Sequence, residues 1–245
     1  GTDWSQHARL LSFLECPTLA DQVQDRMNTG VSAAPEDSRN LPVFLCPADP
    51  GDGLAELPGT NSYRGNAGTN IGIVPLQAPS SSNPLTFAGV APAGEVNDGM
   101  FVANRLVRAA QVTRGLSKVA LFYEMVLGDG DPFLISEQGD WLRIDTSLPT
   151  TDVVFFECAN VAQGSSRQLL GSRNQSSIAG RNWTRGHYIT TRYNHVMPPG
   201  ARSCVRVRGA RFDLDGDGAE ATVATNGTAT TASSYHRGGV NVAFG

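Results

Sequence analysis

Apolar residues fall at helical spacing near the start of the chain and at strand spacing in its later half. Within residues 5–28, Leu10, Leu11, Phe13 and Leu14 gather on one helix face, and Leu19, Val23 and Met27 then recur every fourth residue. Pro17 suits the first turn of a second helical stretch and Gly30 suits its end. Val43-Phe44-Leu45-Cys46 reads as a short apolar strand stopped by Pro47 and Pro50. Residues 119–127 form a near-continuous apolar run, the pattern of a central strand. The run from Val153 to Cys158 reads as another strand, and residues 204–208 alternate with arginines outward. A glycine-rich turn then leads into Val240, Val242 and Phe244, a half-buried strand. Helix early and strands late predict an α+β fold: an N-terminal helix packed on a mainly antiparallel sheet with long irregular loops, as one domain over 1–245.

Composition narrows the function classes. The chain has 245 residues, 40% of them hydrophobic and only 17% charged, so a sizeable core is available beneath a weakly charged surface. With a net charge of -4 there is no electrostatic basis for a nucleic acid or an anionic membrane as partner. No apolar run approaches the roughly 18 residues of a membrane helix, and Gly1-Thr2-Asp3-Trp4 has no signal-peptide pattern. Gly and Pro crowd residues 47–100, which are expected to be irregular. Tyr63 to Gly68 carries two glycines at turn spacing, without the strand-then-helix context of a phosphate loop.

Cys16, Cys46, Cys158 and Cys204 stand far apart with no CxxC pair, which argues against zinc or redox motifs of that type. They are the disulfide candidates, with three pairings open, and buried free thiols are the alternative. Asp213, Asp215 and Asp217, with Gly218 in the sixth place, resemble the opening of a calcium loop, and Glu220 would supply a further oxygen. The alternative is a solvated acidic turn. Gly128-Asp129-Gly130-Asp131 reads as a turn.

His236 beside Arg237-Gly238-Gly239 invites a hydrolase reading, but no Gly-x-Ser-x-Gly or HExxH element accompanies it. The plainer reading is a histidine hydrogen-bonded to a neighbouring loop, beside glycines that permit positive φ. A nucleophile within hydrogen-bond reach of His236 would favour the hydrolase. Trp4, Trp141, Trp183, Tyr63, Tyr188, Tyr193 and Tyr235 could line a glycan platform or serve as packing anchors. Arg202, Arg206, Arg208 and Arg211 make a basic strand face, suited to an acidic neighbour such as the 213–217 loop or to a solvated sheet edge.

Several segments, in order, carry a resemblance. They are Trp4 with the apolar stretch ending at Glu15, Phe44-Leu45-Cys46-Pro47-Ala48-Asp49-Pro50, and Ser62-Tyr63-Arg64-Gly65-Asn66-Ala67-Gly68. Asn97 to Phe101, Val112 to Val119 closing at Glu124, Trp183 with Gly186, and Asn194 with Pro198-Pro199 and Cys204 follow. Ser234-Tyr235-His236-Arg237-Gly238-Gly239-Val240-Asn241 completes the set. Together they resemble the planctomycete-type pilin-like or pseudopilin-like family, in which a prepilin-type cleavage and methylation helix precedes a large domain of unknown function with a solute-binding-like label. Arg114 and Lys118 depart from that pattern, where the family has Asp and Asn. The prepilin helix and a continuation after Phe244 are not in the sequence, which reads as a trimmed, processed or partial chain.

The resemblance implies a non-catalytic structural subunit of a type IV pilus-like or type II secretion pseudopilus-like filament, exported to the cell surface or periplasm. Its partners would be copies of itself or other pilin-like subunits, and its only membrane contact the absent helix. Residues 5–28 would continue the stalk, and the loops of 47–100 and 159–200 would form contact surface. No residue is assigned a catalytic role, and calcium is the one cofactor candidate. The alternatives are an extracellular glycan- or small-solute-binding module and a His-dependent hydrolase.

Overall fold

Two four-stranded sheets organise the chain in this computed structural model, which describes residues 4–31, 33, 39–51, 59–71, 98–102, 106–131, 134–136, 138–144, 150–161, 175–186, 188–207 and 223–245. In chain order the elements are α1 (Gln6–Leu10), a 3₁₀ turn (Leu11–Phe13), α2 (Pro17–Asn28), a 3₁₀ turn (Pro42–Phe44) and β1 (Tyr63–Asn66). Next come 3₁₀ turns at Ala109–Gln111 and Leu116–Lys118, then β2 (Ala120–Glu124), β3 (Trp141–Ile144), α3 (Thr151–Ala159) and β4 (Gln175–Ser176). The last are α4 (Tyr188–Thr191), β5 (Arg192–Tyr193), β6 (Ser203–Val207), β7 (Val223–Ala229) and β8 (Val242–Phe244).

The first sheet runs β5-β1-β2-β8 and the second β4-β3-β6-β7. The α+β class holds, but the single sheet expected is two mixed ones. Most described ladders are antiparallel, while β1–β5 and β3–β6 are parallel. The apolar run at 119–127 gives β2, internal between β1 and β8 as its pattern predicts. The described part of the alternation that begins at Cys204 falls in β6, which lies between β3 and β7, so it is not a sheet edge.

Alternation along β3 separates two cores. Leu142 and Ile144 join Cys204, Val154 and Cys158 on the side covered by α3, whereas Trp141 joins Val205, Met125 and Ala179. The guanidinium of buried Arg64 on β1 lies 5.7 Å from the centroid of the Trp141 ring, linking the two sheets.

Three predicted elements come out differently. Residues 5–28 are not one helix. Trp4 and Ser5 are extended, with Trp4 bridged to Arg185 and Ser5 capping Ala8 N–H of α1. The chain then breaks before Pro17, because proline's ring disfavours helical geometry at the preceding residue, here Cys16 at φ -115 and ψ 54. Glu15 absorbs the break at φ 56, and the second stretch starts at Pro17 as predicted. The apolar side of these helices packs with Phe44 and Trp183. Their contact with the first sheet includes His7, whose Nε2–H donates to Tyr63 O at 2.8 Å and whose ring meets Phe122 edge-on at 5.5 Å.

The segment 43–46 is not a strand. Pro42 starts a 3₁₀ turn, fixing the φ that a helical first turn needs, and Leu45 beyond it is extended. The segment 153–158 is helix, because Thr150 caps it by accepting from Val153 N–H and Asp152 sits in its first turn. Val154 and Cys158, four apart, form its buried side, while Phe155 and Phe156 face out.

Gly68 shows why two of the glycine-rich segments meet. At φ +118 it runs against the chain at Asp98 and Gly99, where a Cβ would come within 2.6 Å of Gly99 N. Asp98 holds the approach by accepting from Thr69 N–H at 2.6 Å and Thr69 O–H at 2.9 Å.

Candidate functional site

Three of the segments that carry the resemblance meet at one place: the Cys46-Pro47 loop, Glu124 at the end of β2, and the His236 turn before β8. Strand geometry brings them together. Ser62, just before β1, donates its N–H to Phe44 O at 2.7 Å and accepts from Met125 N–H at 2.7 Å, holding the Cys46 loop beside the end of β2. Asp49 strengthens this, accepting from Leu127 N–H at 2.7 Å through one oxygen and from Gly51 N–H at 3.0 Å through the other. On the other side the C-terminal segment clasps β2. Glu124 N–H donates to Asn241 O at 3.1 Å, Ser233 N–H donates to Glu124 O at 3.1 Å, and Val126 N–H donates to Ser233 Oγ at 3.0 Å.

The side chains converge on one nitrogen. Cys46 Sγ lies 3.3 Å from His236 Nε2, and Glu124 Oε1 lies 3.4 Å from the same atom. The three donor atoms are all within 4.8 Å of one another. Cys46 and Glu124 are buried at 4% and 2% exposure, whereas 39% of the His236 side chain faces solvent. Glu124 Oε2 is occupied: it accepts from Ser234 O–H at 2.9 Å, Asn241 Nδ2–H at 3.0 Å and Asn241 N–H at 3.3 Å. Ser234 also accepts from His236 N–H at 2.9 Å, fixing the histidine's backbone to the same cluster. Burial pushes the Cys46 thiol up, the neighbouring Glu124 pushes the same way, and backbone N–H groups of Ala48 and Asp49 pull it down. Tyr63 is raised first by its own burial and then by Cys46 and Glu124.

The sequence candidates fare unevenly. Cys158 on α3 and Cys204 on β6 form a disulfide, both fully buried in the core beside Val154 and Leu142. Cys16 and Cys46 are free thiols, so neither joins a bridge. Asp213, Asp215, Asp217 and Glu220 lie outside the described residues, as do Arg208 and Arg211. Of the basic face, Arg202 donates to Val161 O at 2.8 Å, a contact with the end of α3's connection. At 128–131, Asp131 N–H donates to Asp129 Oδ1 at 2.9 Å, while Gly128 and Gly130 donate their N–H groups to Ala179 O and Ser177 O.

Of the seven aromatics, Trp4, Trp141, Trp183 and Tyr193 are buried packing anchors, Tyr63 is half-buried and Tyr235 is exposed, while the side chain of Tyr188 lies outside the described ones. His236 does hydrogen-bond a neighbouring loop, and Gly238 and Gly239 take φ +93 and +159. The cysteine spacing offers Cys46 as a disulfide partner or a buried free thiol, and no local motif gives Glu124 a site role. The signal was present in Glu124, an ionisable side chain inside an otherwise apolar strand run, which must find partners once buried.

The disulfide places the chain in an oxidising, extracytoplasmic setting. Among the described residues no helix is long and apolar enough to cross a membrane. No curated protein and no solved structure matches the chain. Residues 1–245 match the family described as protein of unknown function (DUF1559), and the chain belongs to that family.

Proposed function

We propose that the chain is a non-catalytic structural subunit, displayed at the cell surface or in the periplasm within a type IV pilus-like or type II secretion pseudopilus-like assembly of copies of itself or related subunits. The observation that carries this reading is the set of large apolar side chains at the surface: Phe13 at 80% exposure, Leu106 at 78%, Phe156 at 64% and Phe244 at 57%. Two of them sit on elements suited to contact. Phe156 stands beside exposed Phe155 on the outer side of α3, and Phe244 is on β8, the outermost strand of its sheet among the described residues. An edge strand with an outward aromatic is a template for association. Export, as the disulfide implies, agrees with a surface role.

The stalk part of the expectation is dropped. Ser5 caps α1 and Glu15 interrupts the helix, so residues 5–28 are not a straight rod continuing from a preceding helix. Subunit contacts in this reading are made by the surface of the head.

Electron microscopy of native, full-length material is the test. Ordered fibres with this head repeated along them are expected, lost in a Phe156→Asp, Phe244→Asp double variant whose melting temperature stays within a few degrees of the parent. A monodisperse monomer carrying a bound sugar would overturn the reading in favour of a binding module.

The hydrolase reading has one observation in its favour, the 3.3 Å approach of Cys46 Sγ to His236 Nε2. In a catalytic triad, however, the imidazole faces its nucleophile with one nitrogen and its carboxylate with the other. Here thiol and carboxylate both face Nε2, and burial raises the thiol where a nucleophile needs it lowered. The structural reading is therefore preferred.

A further inference from the structure

We propose that Cys46, Glu124 and His236 form a three-ligand site for a divalent transition metal of the zinc class, which fastens the C-terminal segment to β2 and the Cys46 loop.

Two of the three ligand edges have the lengths expected around a common centre, and all three donor atoms lie within 4.8 Å of one another. Ideal zinc distances of about 2.3 Å to sulfur and about 2.0 Å to nitrogen or oxygen give tetrahedral edges of roughly 3.5 Å for S···N and roughly 3.3 Å for N···O. Sγ···Nε2 and Nε2···Oε1 are 3.3 and 3.4 Å. A hydrogen-bonded relay would divide its partners between the two imidazole nitrogens. Here both partners lie on the Nε2 side, the arrangement in which one ion would face all three donor atoms.

The surroundings are built for ligation. Three hydrogen bonds satisfy Glu124 Oε2 and leave Oε1 as the oxygen turned to the centre. Such outer partners orient a ligating carboxylate. The Ala48 N–H points at Cys46 Sγ at 3.4 Å, an outer partner that orients the sulfur of a ligating cysteine. Ser234 holds both the carboxylate and the histidine backbone.

Charge and softness choose the ion. A thiolate and a carboxylate, both buried, carry two negative charges that one M²⁺ cancels, with imidazole neutral. Thiolate and imidazole select zinc-like ions, whereas calcium and magnesium take oxygen ligands. The site is thus distinct in chemistry from the aspartate run at 213–217. Three protein ligands leave a fourth position for water on the solvent side of His236. The consequence is mechanical: residues 190 positions apart, Cys46 and His236, become joined through one ion.

The test uses the purified chain stripped with a chelator and titrated with Co²⁺, then with Zn²⁺. The expected result is one Co²⁺ per chain, with thiolate-to-cobalt charge-transfer absorption and the visible bands of tetrahedral cobalt, displaced by Zn²⁺ but not by excess Ca²⁺. Zn²⁺ should raise the melting temperature, since it binds the folded state selectively. Cys46→Ser should abolish the charge-transfer band, and Cys16→Ser should leave it intact. His236→Gln changes a partly exposed side chain and keeps the fold readable by circular dichroism; it should weaken Co²⁺ binding at least tenfold. Absence of stoichiometric Co²⁺ binding, or binding unchanged in both Cys46→Ser and His236→Gln, overturns the proposal.

Discussion

Two buried ionisable side chains set opposing pH responses. His7 is held neutral: burial lowers it from 6.5 to about 3, outweighing the hydrogen bond to Tyr63 O, while Arg64 lowers it further. The unfolded chain therefore binds more protons below pH 6.5, and stability is lost as pH falls from there toward 3. Asp140 behaves the opposite way. Burial raises it from 3.8 to about 8, with Asp129 and Asp131 adding, against the Ser136 N–H that donates to Oδ2 at 2.6 Å. The folded chain holds this proton where the unfolded chain has lost it, so stability falls as pH rises from about 4 to 8. Between pH 6.5 and 8 only Asp140 of the two acts, and the slope there is negative. Asp140→Asn keeps an oxygen for the Ser136 N–H and removes the titration. Its melting temperature should exceed the parent's by several degrees at pH 8, with the gap closing toward pH 4 in parallel thermal scans. A gap that does not change with pH would show that Asp140 ionises freely. None of this was legible in the sequence, where Asp140 and His7 are ordinary polar positions. Nor was the Cys46–Glu124–His236 cluster, since no local spacing relates residues brought together by strand pairing; Glu124 amid apolar neighbours was the one local hint.

At the scale of elements, sequence patterns succeeded where period and burial agreed. The apolar run at 119–127 contains β2, and the alternation beginning at Cys204 falls in β6, where Val205 packs with Met125 just beyond β2. They failed where a cap or a proline decided the backbone. The stretch from Val153 to Cys158 is β-branched and aromatic, yet the Thr150 cap and the Val154–Cys158 pair make it helical, at the expense of leaving Phe155 and Phe156 in solvent. Val43 and Phe44 follow Pro42 into a 3₁₀ turn for a similar reason. The break between α1 and α2 is the clearest case. Glu15 at φ 56 sits in the left-handed region, which costs a side-chain-bearing residue roughly 1 kcal/mol or more. Glu15→Gly relieves that strain and, after the greater flexibility of unfolded glycine is offset, should stabilise the chain by about 0.5 kcal/mol. Chemical denaturation would register the gain as a higher midpoint with an unchanged slope. A loss of stability would mean that the Glu15 side chain contributes more to the turn than its backbone strain removes.

For the whole molecule, the question is what holds α3 and the second sheet together, since α3 buries only Val154 and Cys158 with part of its remaining surface apolar and exposed. The disulfide answers it by tying α3 to the central strand β6. It closes a loop with a sequence separation of 46, for which chain-entropy arguments give a stabilisation of about 4 kcal/mol. In a chain of this size that corresponds to a melting-temperature change on the order of 10 °C. A Cys158→Ala, Cys204→Ala variant should therefore melt on the order of 10 °C lower than the parent. The paired substitution is preferable to a thiol reductant, which would also compete for any metal at Cys46. Hydrogen exchange should locate the loss. Amides of α3 and β6 would lose protection first, because the buried cluster of Leu142, Ile144, Val154 and Cys204 spans them. The Asn241–Glu124 amides, on the other sheet, should keep theirs until global unfolding. Equal loss at both places would mean that the two sheets open as one cooperative unit, with Arg64 and Trp141 as the coupling between them.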